Sequence, residues 1–258
     1  ILVGLKRGYM KDLREHQLYA IEALEYLTQI LDRNNIKYFL LAGSCLGAVR
    51  HKGFIPWDDD IDIGIFNEDY DRFETVLIQE LPKQFTWINA KTDNLYPRFF
   101  GKILNGTTPS VDVFRLVKMP QNKYKQKQKW ILKNILVKLY SRKCHWKFES
   151  ENTVVYYFSY ILSLLFSKAA LLKICRWNEN RFASEHNYDY VNMYSYYGLK
   201  RELISYKLTL SISKVEFEGK KYTTFSDTDT YLTNLYGDYM TPPSPDKRKP
   251  EHIANKFV

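Results

Sequence analysis

Cysteine is scarce in this 258-residue chain. Cys45, Cys144 and Cys175 are the three, odd in number and widely spaced. They form no recognisable zinc pattern and favour a reducing compartment. A clean membrane span is also missing. The most apolar stretch, Val154 to Cys175, is interrupted by Ser159, Ser163, Ser167, Lys168 and Lys173, whereas a span needs about 20 mostly apolar residues. No internal repeat and no RNA-binding motif is present. Acidic residues are missing altogether from Val113 to Phe148, where eleven Lys and Arg occur: Arg115, Lys118, Lys123, Lys125, Lys127, Lys129, Lys133, Lys138, Arg142, Lys143 and Lys147.

What is present describes a folded enzyme-sized chain. Apolar residues make up 45% and charged residues 26%, which argues against global disorder. Aromatic side chains are plentiful, and most of them simply pack. The net charge of +9 points to anionic partners: nucleotides, phosphorylated carriers, a membrane surface or nucleic acid. The chain begins with Ile1 rather than Met, so a leader segment is left open.

The pattern along the chain predicts an α/β (α+β) fold. Leu13 to Leu31 carries apolar residues at helical spacing, with Asp12 as its N-cap. Ile36 to Ala42 reads as a buried strand, and Gly43-Ser44 as a tight turn into a short helix through Val49. Asp60 to Ile65 alternates as a strand would, and a helix from about Glu68 stops before Pro82. Three β-like runs follow, Phe85–Ile88, Arg98–Leu104 and Ser110–Phe114. Helix, strand, helix, strand, helix, strands is the order of a mixed sheet with flanking helices. The organisation expected is a catalytic core over 1–116, a mainly helical second lobe over 117–216, basic and aromatic, and a C-terminal segment over 217–258 packing on the core.

The chemistry gathers between residues 43 and 63. Side chains two apart in a strand share a face, so burying Ile61, Ile63 and Ile65 turns Asp60 and Asp62 together the other way. Two carboxylates so placed can share hard cations such as Mg²⁺, which prefers oxygen ligands and keeps substrate phosphates in its shell. Asp112, a lone acid between Val111 and Val113, is the candidate third carboxylate, since burying it without a cation would be costly. Taken alone, such an acid cluster is more often a solvated turn, with Asp112 a strand cap. Gly43 and Ser44, between a strand and a helix, can cradle phosphate oxygens with backbone N–H groups; read singly, they are a turn glycine and a capping serine. Arg50, His51, Lys52 and Lys102 could neutralise a diphosphate or lie on the surface.

These residues together resemble the nucleotidyltransferase superfamily. More specifically, Leu46-Gly47-Ala48-Val49-Arg50-His51-Lys52-Gly53-Phe54-Ile55-Pro56-Trp57-Asp58-Asp59-Asp60-Ile61-Asp62 resembles the LicD family of phosphocholine transferases, with the fukutin-type ribitol-phosphate transferases as relatives. Tyr231-Leu232, Tyr236 to Met240, Pro242-Pro243, Arg248 and His252 are similar to that family's C-terminal pattern. Cys45 stands where the family usually has a larger aliphatic residue or Thr, and the middle hundred residues match nothing nameable. The resemblance implies a nucleotidyltransferase-type sheet and transfer of a phosphorylated group from a CDP-linked donor to a sugar hydroxyl of a glycan or lipid-linked oligosaccharide. It implies metal ions, Mg²⁺ or Mn²⁺, on Asp60, Asp62 and Asp112, with Asp112 also accepting the hydroxyl proton. Gly43, Ser44, Arg50 and Lys102 would then bind the donor phosphates, in a cytoplasmic protein. The basic lobe suits an anionic membrane surface and equally a solvated helical face. A nucleotidyltransferase acting on RNA along Lys118 to Lys147 is the alternative.

Overall fold

The structure is a computed structural model that describes residues 13–148 and 151–248. Asp12 and His252 lie outside the described residues. The first helix, α1 (Leu13–Arg33), buries Ala20, Ala23, Leu24, Leu27, Ile30 and Leu31 and turns Leu18 outward. That one stripe packs across the sheet, while the start of the helix brings His16 and Gln17 inward. The next elements are β1 (Tyr38–Leu40), α2 (Ala42–His51), β2 (Ile61–Phe66), α3 (Asn67–Glu80), β3 (Phe85–Ile88), β4 (Gly101–Asn105) and β5 (Thr108–Pro120). Five of these strands lie in the order β1-β2-β5-β4-β3, with β2 and β5 parallel and the other pairs antiparallel. This is the mixed sheet expected. Ile61, Ile63, Ile65, Val111 and Val113 are completely buried at its centre.

The second lobe is smaller than 117–216. Three helices, α4 (Lys123–Lys143), α5 (Thr153–Leu164) and α6 (Lys168–Asn180), pack around Leu136, Leu139, Tyr140, Leu171 and Cys175. On either side of them the chain belongs to the sheet. β5 runs on to Pro120, and β6 (Tyr188–Asn192) pairs with its second half. A short helix α7 (Leu199–Glu202), strand β7 (Leu203–Ile204) and helix α8 (Tyr206–Leu210) follow, with β7 pairing β6. The physical reason lies in the period. Val117 and Met119, on either side of Lys118, share one face of the strand and bury against Val191 and Met193, so the strand outlasts the first lysine of the basic stretch.

The chain closes with a hairpin, β8 (Ile212–Phe217) and β9 (Lys220–Phe225), and a helix α9 (Thr228–Tyr236). Glu218 and Gly219 make its turn with positive φ at both. Phe217, Tyr222, Phe225, Tyr231, Leu232 and Leu235 join the central core. The Glu218 N–H donates to the Lys52 carbonyl and its carboxylate accepts from the Phe54 N–H, so the hairpin holds the loop leading to Asp58.

That loop also crosses α2 at very close range. A Cβ at Gly47 would lie 2.4 Å from the Gly53 carbonyl oxygen and 3.2 Å from the Ile55 nitrogen, both backbone atoms. Gly47→Ala adds about 1 kcal/mol of helix propensity, but overpacking costs typically 1–3 kcal/mol. The clash wins, because neither neighbour is a flexible side-chain end. The variant is expected to unfold at lower urea concentration than the parent.

Candidate active site

Three adjacent strands bring three charged groups into one row. Asp62 on β2 faces Asp112 on β5 in the parallel register, and Asp112 faces Lys102 on β4 in the antiparallel one. Directly opposed residues point to the same side of a sheet. Asp60, just before β2, completes the group: carboxylate oxygens of Asp60, Asp62 and Asp112 all lie within 4.8 Å of one another. The Asp60–Asp62 alternation and the choice of Asp112 therefore converge on one place. Asp58 and Asp59 crowd in from the same loop, and Asp58, Asp59 and Asp60 can also offer oxygens within 4.8 Å of one another. Asp59 is fully buried.

The junction between β1 and α2 anchors the central acid. The Leu41 N–H donates to the Asp62 carbonyl at 2.9 Å, and the Asp62 N–H donates to Ser44 Oγ at 2.8 Å. Ala42 then takes a φ of 41°, a left-handed conformation that costs an alanine on the order of 1 kcal/mol. Its N–H is met by the Tyr231 hydroxyl at 3.0 Å. This sharp bend sends α2 off with its N-terminal turn beside the carboxylates. Gly43 and Ser44 are thus inside the helix rather than before it, and the Ser44 side chain fastens β2. A Cβ at Gly43 would sit 2.6 Å from Asp58 Oδ2, so the turn expected to receive a phosphate already faces a carboxylate.

Electrostatics at the row are lopsided. Burial pushes Asp62 well above the ordinary carboxylate range, and Asp60, Asp112 and Asp58 push it further, while Lys102 opposes them. The residue nonetheless keeps an edge open to solvent, which is what a site that admits ligands requires. Lys102 is buried, with Nζ 2.7 Å from Asp112. Burial pulls its ammonium down, but Asp112 and Asp60, with Asp62, more than offset this and leave it above the usual lysine value. Its role is that of a counter-charge to the acids. Among the described residues Lys102 is the cation paired with this row, and the donor set that Asp60, Asp62 and Asp112 offer, made only of carboxylate oxygens, is the chemistry that hard divalent cations take. The residues present fit Mg²⁺ or Mn²⁺.

Among the described residues no hydrogen bond or ion pair joins Arg50, His51 or Lys52 to this row. They stand seven to nine residues along from Gly43, about 10–14 Å at 1.5 Å per residue, at the other end of α2. There Arg50 donates to the Tyr239 carbonyl at 2.6 Å and to His51 Nε2 at 2.9 Å, and Lys52 forms the left-handed C-cap. Burial and the adjacent Arg50 charge hold His51 below its usual value.

Other neighbours went unread in the sequence. Tyr96 is buried close to Asp112, and its hydroxyl has no hydrogen-bond partner among the described residues. Burial, then the Asp112 charge, raise it well above the usual tyrosine range. Gln17, on α1, donates to the Asp58 carbonyl at 2.9 Å. Both come from segments distant in sequence, where only the fold reveals the contact.

The basic stretch offers less to a phosphate backbone than its sequence suggested. Lys129 is fully buried, donating to the carbonyls of Lys118, Glu179 and Arg181 at 2.7–2.9 Å. Lys133 is buried 3.7 Å from the Trp130 ring centroid and Arg142 is buried beside Glu151. Lys118 and Lys125 are paired with Glu68 and Glu185. With Arg115, also buried, four of the eleven cations are withdrawn from the surface and two more are held in ion pairs, which weakens the RNA reading.

Residues 35–146 match the family model described as LicD/FKTN/FKRP, nucleotidyltransferase domain. The chain is 29% identical to the lipopolysaccharide cholinephosphotransferase LicD of Haemophilus influenzae, over 95% of this chain and 98% of that protein. Over shorter segments it is similar to two human proteins. It is 46% identical over 48 residues to ribitol 5-phosphate transferase FKRP, covering 19% of this chain and 10% of the relative. It is 37% identical over 51 residues to ribitol-5-phosphate transferase FKTN, covering 20% and 11%.

Proposed function

We propose, from the premise that this chain carries a LicD-type nucleotidyltransferase domain and is a phosphotransferase, that it moves phosphocholine or a polyol or sugar phosphate from a CDP-linked donor to a glycan hydroxyl. The observation that carries this reading is the convergence of Asp60, Asp62 and Asp112 within 4.8 Å across parallel strands β2 and β5. A divalent cation held by these three residues would supply charge neutralisation at the phosphoryl oxygens of the donor. The chain's own groups divide the remaining work. Asp112 accepts the proton of the attacking hydroxyl, and Lys102, 2.7 Å away, balances its charge. The first turn of α2, at Gly43 and Ser44, directs its N–H groups and the positive end of the helix dipole at donor phosphate. Ser44 and Leu41 hold the Asp62 backbone in place while this happens. The products are a phosphodiester and CMP. The acceptor proposed is a glycan or lipid-linked oligosaccharide of the cell surface, reached from the cytoplasmic side.

Incubation with Mg²⁺ and a panel of CDP-choline, CDP-ribitol and CDP-glycerol tests this directly. One donor is expected to release CMP in an acceptor-dependent manner, with release lost in EDTA and restored by Mg²⁺ or Mn²⁺. Activity undiminished by EDTA would remove the metal assignment, and no CMP from any CDP donor would remove the donor class.

A further inference from the structure

Helix α5 is built inside out. Residues 153–167 carry no charged side chain, yet the helix buries only its serines, Ser159 and Ser163. Their hydroxyls bond back to the carbonyls of Tyr156 and Tyr160, and Ser159 Oγ also accepts from Arg142 Nε at 2.9 Å. The opposite face presents Val154, Tyr157, Phe158, Ile161, Leu164 and Leu165, each 61–76% exposed. Their spacing of three and four residues aligns them on one side of the helix. An ordinary surface helix points its apolar stripe at the core. Six large apolar side chains in one exposed stripe mark an interaction surface.

The charge around the stripe selects its partner. Residues 116–178 hold thirteen Lys and Arg against two Glu, an excess larger than the +9 of the entire chain. One of the two, Glu151, is buried on Arg142. Lys127, Lys138, Lys147 and Lys173 are exposed around the lobe. Two such lobes would repel each other, which disfavours a second copy as the occupant. An exposed apolar stripe on a lobe with this excess of exposed lysine is what a lipid bilayer with anionic headgroups takes up, chains against the stripe and phosphates against the ammonium groups.

The lobe lies on the bilayer rather than crossing it. Twelve residues of helix span about 18 Å, short of the ~30 Å of a hydrocarbon core. Among the described residues no single helix is long and apolar enough to cross, and α5 and α6 are bent by 102° to each other. α6 is also tied down. It buries Leu171 and Cys175, and Arg176 pairs with Asp71 on α3 at 2.5 Å. We propose that α5 inserts its outer face into the interfacial layer of an anionic membrane, with the surrounding lysines on the lipid phosphates.

Sedimentation with vesicles tests this without any transfer reaction, so its result is independent of the donor and metal assignments. The parent protein is expected to pellet with phosphatidylcholine vesicles containing phosphatidylglycerol, and more weakly with phosphatidylcholine alone. Added salt should weaken the first and spare the second. The double variant Phe158→Ser/Ile161→Ser, both sites exposed, should keep its thermal transition and lose vesicle affinity by roughly tenfold or more. The proposal is overturned by a parent that stays in solution with anionic vesicles, or by a variant that binds as well as the parent. It is equally overturned if light scattering shows a dimer that the double variant dissolves, for then a second copy covers the stripe.

Discussion

Replacing Asp62 with asparagine is expected to abolish transfer while making the metal-free protein more stable. The loss of rate should be about a thousandfold or more, the scale of losing one electrostatic stabiliser of a transition state. The stability effect runs the other way because of how Asp62 is surrounded. Burial and the charges of Asp60, Asp112 and Asp58 raise its pKa well above the ordinary value of 3.8. A carboxyl with a raised folded value binds more protons folded than unfolded in the window between the two values. Stability therefore falls as pH rises through that window from the ordinary aspartate range, and the penalty persists above it. Asparagine has the same shape and no charge to repel, so the gain in melting temperature over the parent should grow as pH rises. Saturating Mg²⁺ should raise the parent's melting temperature and leave the variant almost unmoved. A purely structural Asp62 would behave oppositely: the variant would melt earlier, at every pH. Thermal scans at several pH values, with EDTA and with Mg²⁺, separate the two.

The legibility of this site from sequence has a definite limit. The period of a strand is local, so Asp60 and Asp62 could be assigned to one face, and β3 at Phe85–Ile88 could be placed to the residue. Asp112 was legible because an acid inside an apolar run is expensive without a partner, and that partner is Lys102, its direct neighbour on β4. Adjacency in sequence misled at Arg50, His51 and Lys52. A helix carries each residue 1.5 Å further along, so three cations close to the acids in the chain end at the far end of α2. Ser44 was read for its backbone N–H alone, and the hold of its hydroxyl on the Asp62 backbone was not legible. The basic lobe was the least legible part. A lysine such as Lys129 reads as a solvated charge, but three carbonyls from two distant segments solvate it in the interior, where burial lowers it to about 7. No local pattern announces such a site.

Arg142→Ala is expected to be the most destabilising single change in the helical lobe. The guanidinium is fully buried and donates to the Glu151 carboxylate, to Ser159 Oγ and to the Trp146 carbonyl, with its carbon 4.4 Å from the Tyr156 ring centroid. It therefore fixes the link from α4 to α5 and the inward turn of the serine face. Glu151 is as deeply placed, and its Oε1 already lacks a hydrogen-bond partner among the described residues. Alanine would strand that carboxylate with no counter-charge and open a space the size of a guanidinium. Breaking a buried pair from one side costs about 3–5 kcal/mol, set against a whole-domain stability of about 5–15 kcal/mol. Much of the lobe should then melt before the sheet does, and chymotrypsin should cut at the α5 aromatics many times faster. The double variant Arg142→Met/Glu151→Leu removes both charges and keeps the volume, so it should recover most of the loss. If the single and double variants unfold at the same urea concentration, the pair is not what holds α5. If the double variant is stable but its apolar stripe is as protease-sensitive as in Arg142→Ala, the bonds to Ser159 and Trp146 matter more than the ion pair. The sum of these contacts explains why a serine face can be the buried one: Arg142 makes the inside of α5 polar, and the apolar side chains have only the outside left.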